Sequence, residues 1–173
     1  MISALADAGA ALEEPRYLQA ASDCADFLLT SMRDEPGRLL RAYNHGAAKI
    51  DGYLEDHAFL LEALLVLFEA TCEERWYLEA VVLAEEMIAR RKDLEDSPIP
   101  AGGSSAAVGL LRLSQLSGDP DHERNAVSVL RLLHEIAPQH PSAFGHLLQA
   151  LHWYFAPARP IACAVPAVAD GGR

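Results

Sequence analysis

A cluster of acidic, aromatic and imidazole side chains lies where a long apolar stretch of the chain begins. Its members are Asp51, Tyr53, Glu55, Asp56 and His57. Two neighbouring carboxyl groups suit acid/base chemistry on a glycoside, in which one group is protonated and the other is ionised. On this hypothesis Glu55 and Asp56 are the catalytic residues and Tyr53 stacks on the face of a sugar ring. Asp51 and His57 are then further ligand contacts.

A structural interpretation of the same residues is the one that we favour. Asp and Glu are common in the first turn of a helix, where a carboxylate caps free backbone N–H groups and interacts with the helix macrodipole. Glu55 and Asp56 are therefore expected at this position even in a protein without activity. The sequence leaves open whether the protein is an enzyme.

A second group of polar residues lies in the connection at 33–52, which contains a proline and several glycines. Arg41, Tyr43 and His45 are candidate ligand contacts there, because loops that carry polar and ring side chains often bind ligands. A solvated loop without a ligand is again the favoured alternative. Short extended pieces around 38–43 weakly indicate a small hairpin.

Neither the histidines nor the cysteines predict a metal site. The histidines of the C-terminal part are His134, His140, His146 and His152, and they show no HxxxH or HxH spacing with acidic partners. Zinc sites typically use such spacings. The cysteines form no CxxC pair, and the Gly-Gly-Ser-Ser segment at 102–105 lacks the lysine of a P-loop. We interpret that segment as a helix cap, and we predict no metal and no cofactor.

The acidic cluster opens a helix, predicted within 51–70, that is apolar on nearly every side. Glu62 is the only polar residue between Ala58 and Glu69. A helix of this kind is expected to be buried on all sides within a helical assembly. It is too short, and too charged at its ends, to be predicted as a membrane span.

Apolar periodicity predicts six further helices and an extended or flexible tail at 156–173. The predicted helices lie at 1–12, 17–32, 75–92, 104–116, 121–136 and 142–155. In three of them a ring side chain is followed four residues later by alanine, beginning at Tyr17, Trp76 and His122. Helical hairpins with an inner and an outer helix would produce this repeat. The predicted fold is all-α, with about seven helices in one domain at 1–155.

Charge and composition restrict the partners of this domain. The chain carries 25 acidic against 14 basic residues, for a net charge of -11. That balance argues against nucleic acid and anionic membranes, which attract clustered Lys and Arg. The N-terminal residues show no basic segment of a signal peptide, and the odd, scattered cysteines are typical of reduced thiols. These features predict a cytoplasmic location.

Five segments of the chain resemble one known family, the C-terminal helical domain of the spermatogenesis-associated, thioredoxin-domain-containing proteins. The segments are MISALADAG, PRYLQAASDCADFL, AKIDGYLEDHAFLLEALLVLFEAT, ERWYLEAVVLAEEMI and GGSSAAVGLLRLSQLSGD. The resemblance implies a six-hairpin (α/α) toroid, the group that includes N-acylglucosamine 2-epimerases and several glycoside hydrolases. It also implies that the GYLEDHAFL stretch lines the central cavity.

The chain departs from the family pattern in three ways. The predicted helices make fewer hairpins than a complete toroid has, and the thioredoxin-like part is absent. The longer insertion that family members carry after Met87 is missing. Family members more often have Tyr where His57 stands, so the resemblance does not make His57 a catalytic base. A truncated toroid is therefore expected.

These observations lead to two hypotheses about function. The first is a non-catalytic or vestigial helical domain that self-associates, as a homodimer or higher oligomer, because an open half-ring would leave apolar helix faces uncovered. The alternative is a carbohydrate-binding or carbohydrate-processing protein with its site at the acidic and aromatic cluster. That alternative rests on analogy of fold.

Overall fold

The computed structural model describes residues 1–89, 100–134, 137–139 and 144–156. This part of the chain is mostly helical, which confirms the predicted all-α class. The seven α-helices within it are α1 (Ile2–Ala11), α2 (Pro15–Ser31), α3 (Leu54–Thr71), α4 (Glu74–Ala89), α5 (Pro100–Ser117), α6 (Pro120–Leu133) and α7 (Gly145–Phe155). A 3₁₀ turn spans Ala137–Gln139, and two strands, β1 (Leu40–Asn44) and β2 (Ala47–Asp51), join α2 to α3. The predicted tail lies outside the described residues, apart from Ala156.

Consecutive helices pack in pairs, α1 with α2, α3 with α4, and α5 with α6. The first helices of these pairs also contact each other in sequence, so that α1, α3, α5 and α7 form one row. The second helices, α2, α4 and α6, lie on the outside of that row and contact it chiefly through their own partners. Hairpins with an inner and an outer layer are therefore present, and closure of a ring remains a prediction.

The repeat of a ring followed by an alanine marks the buried start of each outer helix. Trp76 and Ala80 in α4 are fully buried, and His122 and Ala126 in α6 are buried as well. In α2, Ala21 is fully buried and Tyr17 partly so. The alanine leaves room for the inner helix to approach, and the ring fills the space one turn earlier.

The central helix α3 has one closed side. Its fully buried leucines include Leu61, Leu64, Leu65 and Leu67, and it packs most extensively against α4 and α5. Burial of each such side chain stabilises the fold by roughly 1.5–3 kcal/mol. This side supplies much of the hydrophobic core.

The other side of α3 is only partly covered, and the prediction of burial on all sides is wrong there. Asp56, Phe59, Glu62, Val66 and Glu69 follow one another at three- or four-residue steps, so they form one stripe along the helix. Phe59 is 50% exposed. The apolar composition of α3 therefore conceals one face that its neighbours leave open.

The start of α5 also differs from the prediction. We expected a loop through 103 with Ser104 or Ser105 as the cap, whereas the helix begins at Pro100 and buries both serines. A Cβ atom on Gly102 would lie 3.1 Å from the Cβ atom of Glu55, and one on Gly109 would lie 2.7 Å from Cδ2 of Leu61. These glycines therefore serve close packing, and their positions show that α3 and α5 run in parallel.

A β-hairpin provides the remaining regular structure. β1 and β2 are antiparallel, with Leu40 opposite Asp51 and Asn44 opposite Ala47. His45 and Gly46 form the two-residue turn, with φ of 51° and 79°. Turns with positive φ at both positions match the twist of the two strands. The hairpin brings Leu39, Leu40 and Arg41 beside the open side of α3.

No helix in the described ranges combines the length and the apolar character needed to cross a membrane.

Candidate functional site

The open side of α3 borders a cleft of about 740 Å³, a volume typical of small-molecule sites. Residues from α1, α2, the base of the hairpin, α3, α5 and α7 surround it. Its apolar lining includes Ile2, Leu28, Met32, Leu39, Leu40, Phe59, Leu60 and Ala63. Its charged and polar lining includes Arg41, Asp56, Glu62, Ser105 and His146. The cleft is therefore largely apolar, with a few polar groups that could orient a ligand.

Asp56 faces this cleft and also caps α3. Its Oδ2 atom accepts a hydrogen bond of 2.8 Å from the backbone N–H of Tyr53 and lies 3.6 Å from Nε of Arg41. The Arg41 guanidinium in turn stacks over the Tyr53 ring, 4.1 Å from its centroid. Three sequence-predicted residues are thus brought together, and the capping role of Asp56 accompanies its position on the cleft.

Glu55 and His57 point elsewhere. Glu55 packs against Gly102 of α5, with its carboxylate 3.9 Å from Arg41. His57 is buried, and its Nδ1–H donates to the Tyr53 carbonyl over 2.8 Å. Its Nε2 atom lies 3.5 Å from Oε2 of Glu86 on α4. Neither residue is part of the cleft lining in the described chain, although Glu55 and Asp56 both approach Arg41.

The remaining predicted contacts lie on the hairpin and are not part of the cleft lining in the described chain. Asp51 is exposed at the end of β2, 4.0 Å from Arg38. Tyr43 meets Phe27 of α2 edge to face, with 5.0 Å between ring centroids. His45 is exposed in the turn. Asp56 therefore lines the cleft, whereas Asp51, Tyr43 and His45 do not in the described chain.

Sequence analysis missed the closest polar pair of the cleft, which joins Glu62 of α3 to His146 of α7. His146 Nε2 lies 3.0 Å and 3.1 Å from the two carboxylate oxygens of Glu62, and its Nδ1 lies 2.7 Å from Oε1 of Gln149. These residues are far apart along the chain, so no motif spacing could connect them. The one sequence signal that pointed to Glu62 was its position as the lone polar residue in an apolar stretch of helix.

Ser105 is a second feature that the sequence concealed. Its side chain is 1% exposed, and its Oγ atom has no hydrogen-bond partner among the residues that the structure describes. Buried hydroxyl groups are normally hydrogen-bonded, and an unpaired one is costly. Ser105 belongs to the cleft lining. It therefore has a hydrogen-bonding capacity that the fold itself does not use.

A second cleft of about 500 Å³ lies on the far side of the Glu62–His146 pair. Glu62 and His146 belong to the lining of both clefts, so this pair forms a partition between them. The other residues of the second cleft are Val108, Arg112, Leu148, Gln149, His152 and Trp153.

The polar groups of the larger cleft are largely engaged with one another. Asp56 and Glu62 are its carboxylates, and each is already engaged by a basic side chain, Arg41 or His146. Over the described ranges, no group of three or more His, Cys, Asp or Glu side chains could hold a metal ion. The polar groups are suited to fixing the orientation of a ligand.

The fold and the cleft define a helical-hairpin protein with room for a small molecule. Comparison with known proteins identifies a more particular relationship. The chain is 28% identical to human spermatogenesis-associated protein 20 and 29% identical to the rat protein. Each match extends over 183 positions and covers 87% of this chain and 23% of the relative. The chain is therefore homologous to spermatogenesis-associated protein 20.

An uncharacterized protein of Caenorhabditis elegans is 27% identical, over 87% of this chain and 24% of that protein. The chain thus spans about a quarter of the length of these relatives. No family model matches it. Since the 183 matched positions exceed the 173 residues of the chain, the relatives contain residues in this region that the chain lacks. We predict that these additional residues of the relatives form an insertion after the position of Met87.

Proposed function

We propose that the chain is a non-catalytic helical domain of the spermatogenesis-associated protein 20 family that binds a small molecule in its larger cleft. The observation that carries the proposal is the open cleft of about 740 Å³ along α3, with polar groups at a few points of an apolar wall. Homology supports membership of the family. The toroid remains a proposal for the architecture of the complete family domain.

The non-catalytic part of the proposal rests on the carboxylates. Most glycoside hydrolases use two carboxyl groups that flank the bond that is cleaved. Glu55 packs against α5, whereas Asp56 faces the cleft and accepts the Tyr53 N–H, and both carboxylates lie within 4 Å of Arg41. We infer that Glu55 and Asp56 serve as carboxylates of a helix end, beside Arg41, and do not act as an acid/base pair. A carbohydrate is retained as an alternative ligand for the cleft.

Binding can be tested with N-phenyl-1-naphthylamine, an uncharged fluorophore that brightens in apolar surroundings. Ser3 lines the cleft from α1, whereas its neighbour Ala4 is exposed. We expect saturable binding that Ser3→Trp weakens at least about tenfold by filling the cleft, while Ala4→Trp has no effect. Absence of binding, or equal binding by both variants, would overturn the proposal.

Self-association is a second candidate function, and the surface of α7 favours it. Leu148, Trp153, Tyr154 and Phe155 are exposed by 57%, 38%, 40% and 77%. Clustered exposed apolar residues commonly mark interfaces. We expect light scattering on a sizing column to give the mass of a homodimer and Phe155→Glu to give a monomer. A monomeric wild-type chain at high concentration would exclude this role.

A cytoplasmic location also remains a proposal, and it rests on the composition of the chain. Fractionation of cells that express the tagged protein would test it.

A further inference from the structure

We infer that the larger cleft takes an uncharged amphipathic molecule, with an apolar body and a hydroxyl group at one end. The hydroxyl group would bind beside Ser105, Glu62 and His146. This inference rests on the proposed function, because it specifies the class of ligand for the same cleft.

The apolar part of the inference follows from the walls. The residues that border the cleft include Leu28 from α2, Met32 just after α2, Leu39 before the hairpin, and Phe59 and Leu60 from α3. Phe59 is half exposed there, although it lies on the helix that supplies much of the core. A hydrocarbon body that covers these side chains would remove apolar surface from water.

The polar part follows from Ser105. A Cβ atom on Gly102 would lie against Glu55, and one on Gly109 would lie against Leu61 and Glu62. Ser105 lies between the two glycines on α5, so it stands beside the segment of α3 that contains Asp56 and Glu62. Its buried hydroxyl has no partner in the described chain. A ligand hydroxyl can donate and accept at once, so it can satisfy Ser105 and also reach the Glu62–His146 pair.

The charges of the cleft indicate an uncharged head group. Asp56 is paired with Arg41, and Glu62 with His146. An anionic head would lie next to two carboxylates in a chain of net charge -11. A cationic head would compete with Arg41 or His146 for groups that they already hold. A neutral hydroxyl leaves both pairs intact, and burying an unpaired charge would be costly.

Displacement of N-phenyl-1-naphthylamine by three eight-carbon compounds tests the inference. We expect 1-octanol to displace the fluorophore at a concentration at least about tenfold lower than octanoate or octylammonium. Ser105→Ala should weaken 1-octanol about tenfold and leave the affinity for the fluorophore unchanged. Ser104→Ala is the matched control, since Ser104 is equally buried on the same helix but is not part of the cleft lining.

Thiol chemistry gives a second readout that needs no fluorophore. Cys24 is a partly buried free thiol in the cleft lining, and Cys72 is an exposed free thiol at the end of α3. Saturating 1-octanol should slow the alkylation of Cys24 by iodoacetamide at least about fivefold and leave that of Cys72 unchanged, because only Cys24 would be covered. Peptide mass spectrometry measures both rates in one sample.

Different results would separate the two proposals. If the fluorophore does not bind, or Ser3→Trp does not weaken it, the proposed function fails. If the fluorophore binds but glucose displaces it and 1-octanol does not, the function stands and the inferred ligand class is wrong. Equal displacement by the charged compounds, or full 1-octanol affinity in a folded Ser105→Ala variant, would also overturn the inference. Circular dichroism and a Ser105→Cys variant distinguish loss of folding from loss of the hydroxyl.

Discussion

The two sides of α3 differ in what covers them. On the closed side Leu61, Leu64 and Leu65 are fully buried against neighbouring helices. On the cleft side Phe59 is 50% exposed and Glu62 pairs with His146 from a distant part of the chain. Both sides are rich in apolar residues, so composition alone does not distinguish them. The contrast teaches that the neighbours of a helix, and the small residues that admit them, decide which face becomes core.

The largest difference in stability is expected between two variants that each truncate a side chain on one side of α3. Leu64→Ala should lower the free energy of unfolding by about 2–5 kcal/mol, because it removes a fully buried side chain and leaves a cavity. Phe59→Ala should cost about 1 kcal/mol or less, since that ring is already half solvated. Urea unfolding followed by circular dichroism measures both. Similar losses for the two variants would remove the distinction between the sides.

The close contact between α3 and α5 can be tested at its glycines. Gly109→Val should destabilise the fold by roughly 1–3 kcal/mol, since its first side-chain carbon would lie 2.7 Å from Leu61. Gly103→Ala is the control, because its Cβ would meet only ordinary contacts at 3.4 Å and 3.6 Å. That variant should be neutral or up to about 1 kcal/mol more stable. Thermal unfolding of the two variants shows whether packing or helix propensity determines the change in stability when a glycine of α5 is replaced.

Removing the Asp56 cap of α3 is expected to lower stability by a smaller amount. Asp56→Ala should cost about 1 kcal/mol, because the Tyr53 N–H loses its acceptor. Asp51→Ala, at an exposed carboxylate on the hairpin, should cost less than about 0.5 kcal/mol. A loss above about 3 kcal/mol for Asp56→Ala would show that this carboxylate does more than cap α3.

The smallest effect is expected at the turn before the hairpin, and it depends on pH. Burial raises the pKa of Asp34, but the hydrogen bonds and charge of Arg38 outweigh it and hold the pKa below its ordinary value of 3.8. A depressed carboxyl pKa contributes stability above pH 3.8, and that contribution is lost as the pH falls through the folded-state pKa. The melting temperature of Arg38→Gln, measured from pH 6 to pH 2, should fall less on acidification than that of the wild type. Parallel curves would refute the coupling.

The sequence was sufficient for the helices and their pairing, since periodicity and the ring-to-alanine repeat reflect local packing. It was insufficient to predict contacts between segments that are far apart along the chain. Gly102 resembled a loop residue because its close approach to α3 cannot be seen from α5 alone. Among the predicted site residues, Tyr53 and Asp56 lie together at one helix end, and the hairpin brings Arg41 beside them. Glu62 and His146 escaped prediction because their pairing depends on how α7 docks.

The row of inner helices has a consequence for motion. α3 has helices on either side of it in the row, whereas α1 and α7 each have a neighbour on one side only in the described chain. In arrays whose units contact only adjacent units, local opening is easier at the ends than in the middle. Amide protons of α3 should therefore exchange with deuterium only on global unfolding, and those of α1 and α7 should exchange orders of magnitude faster. The cleft lies between α3 and these two helices, so its opening rate is expected to follow the local opening of α1 and α7.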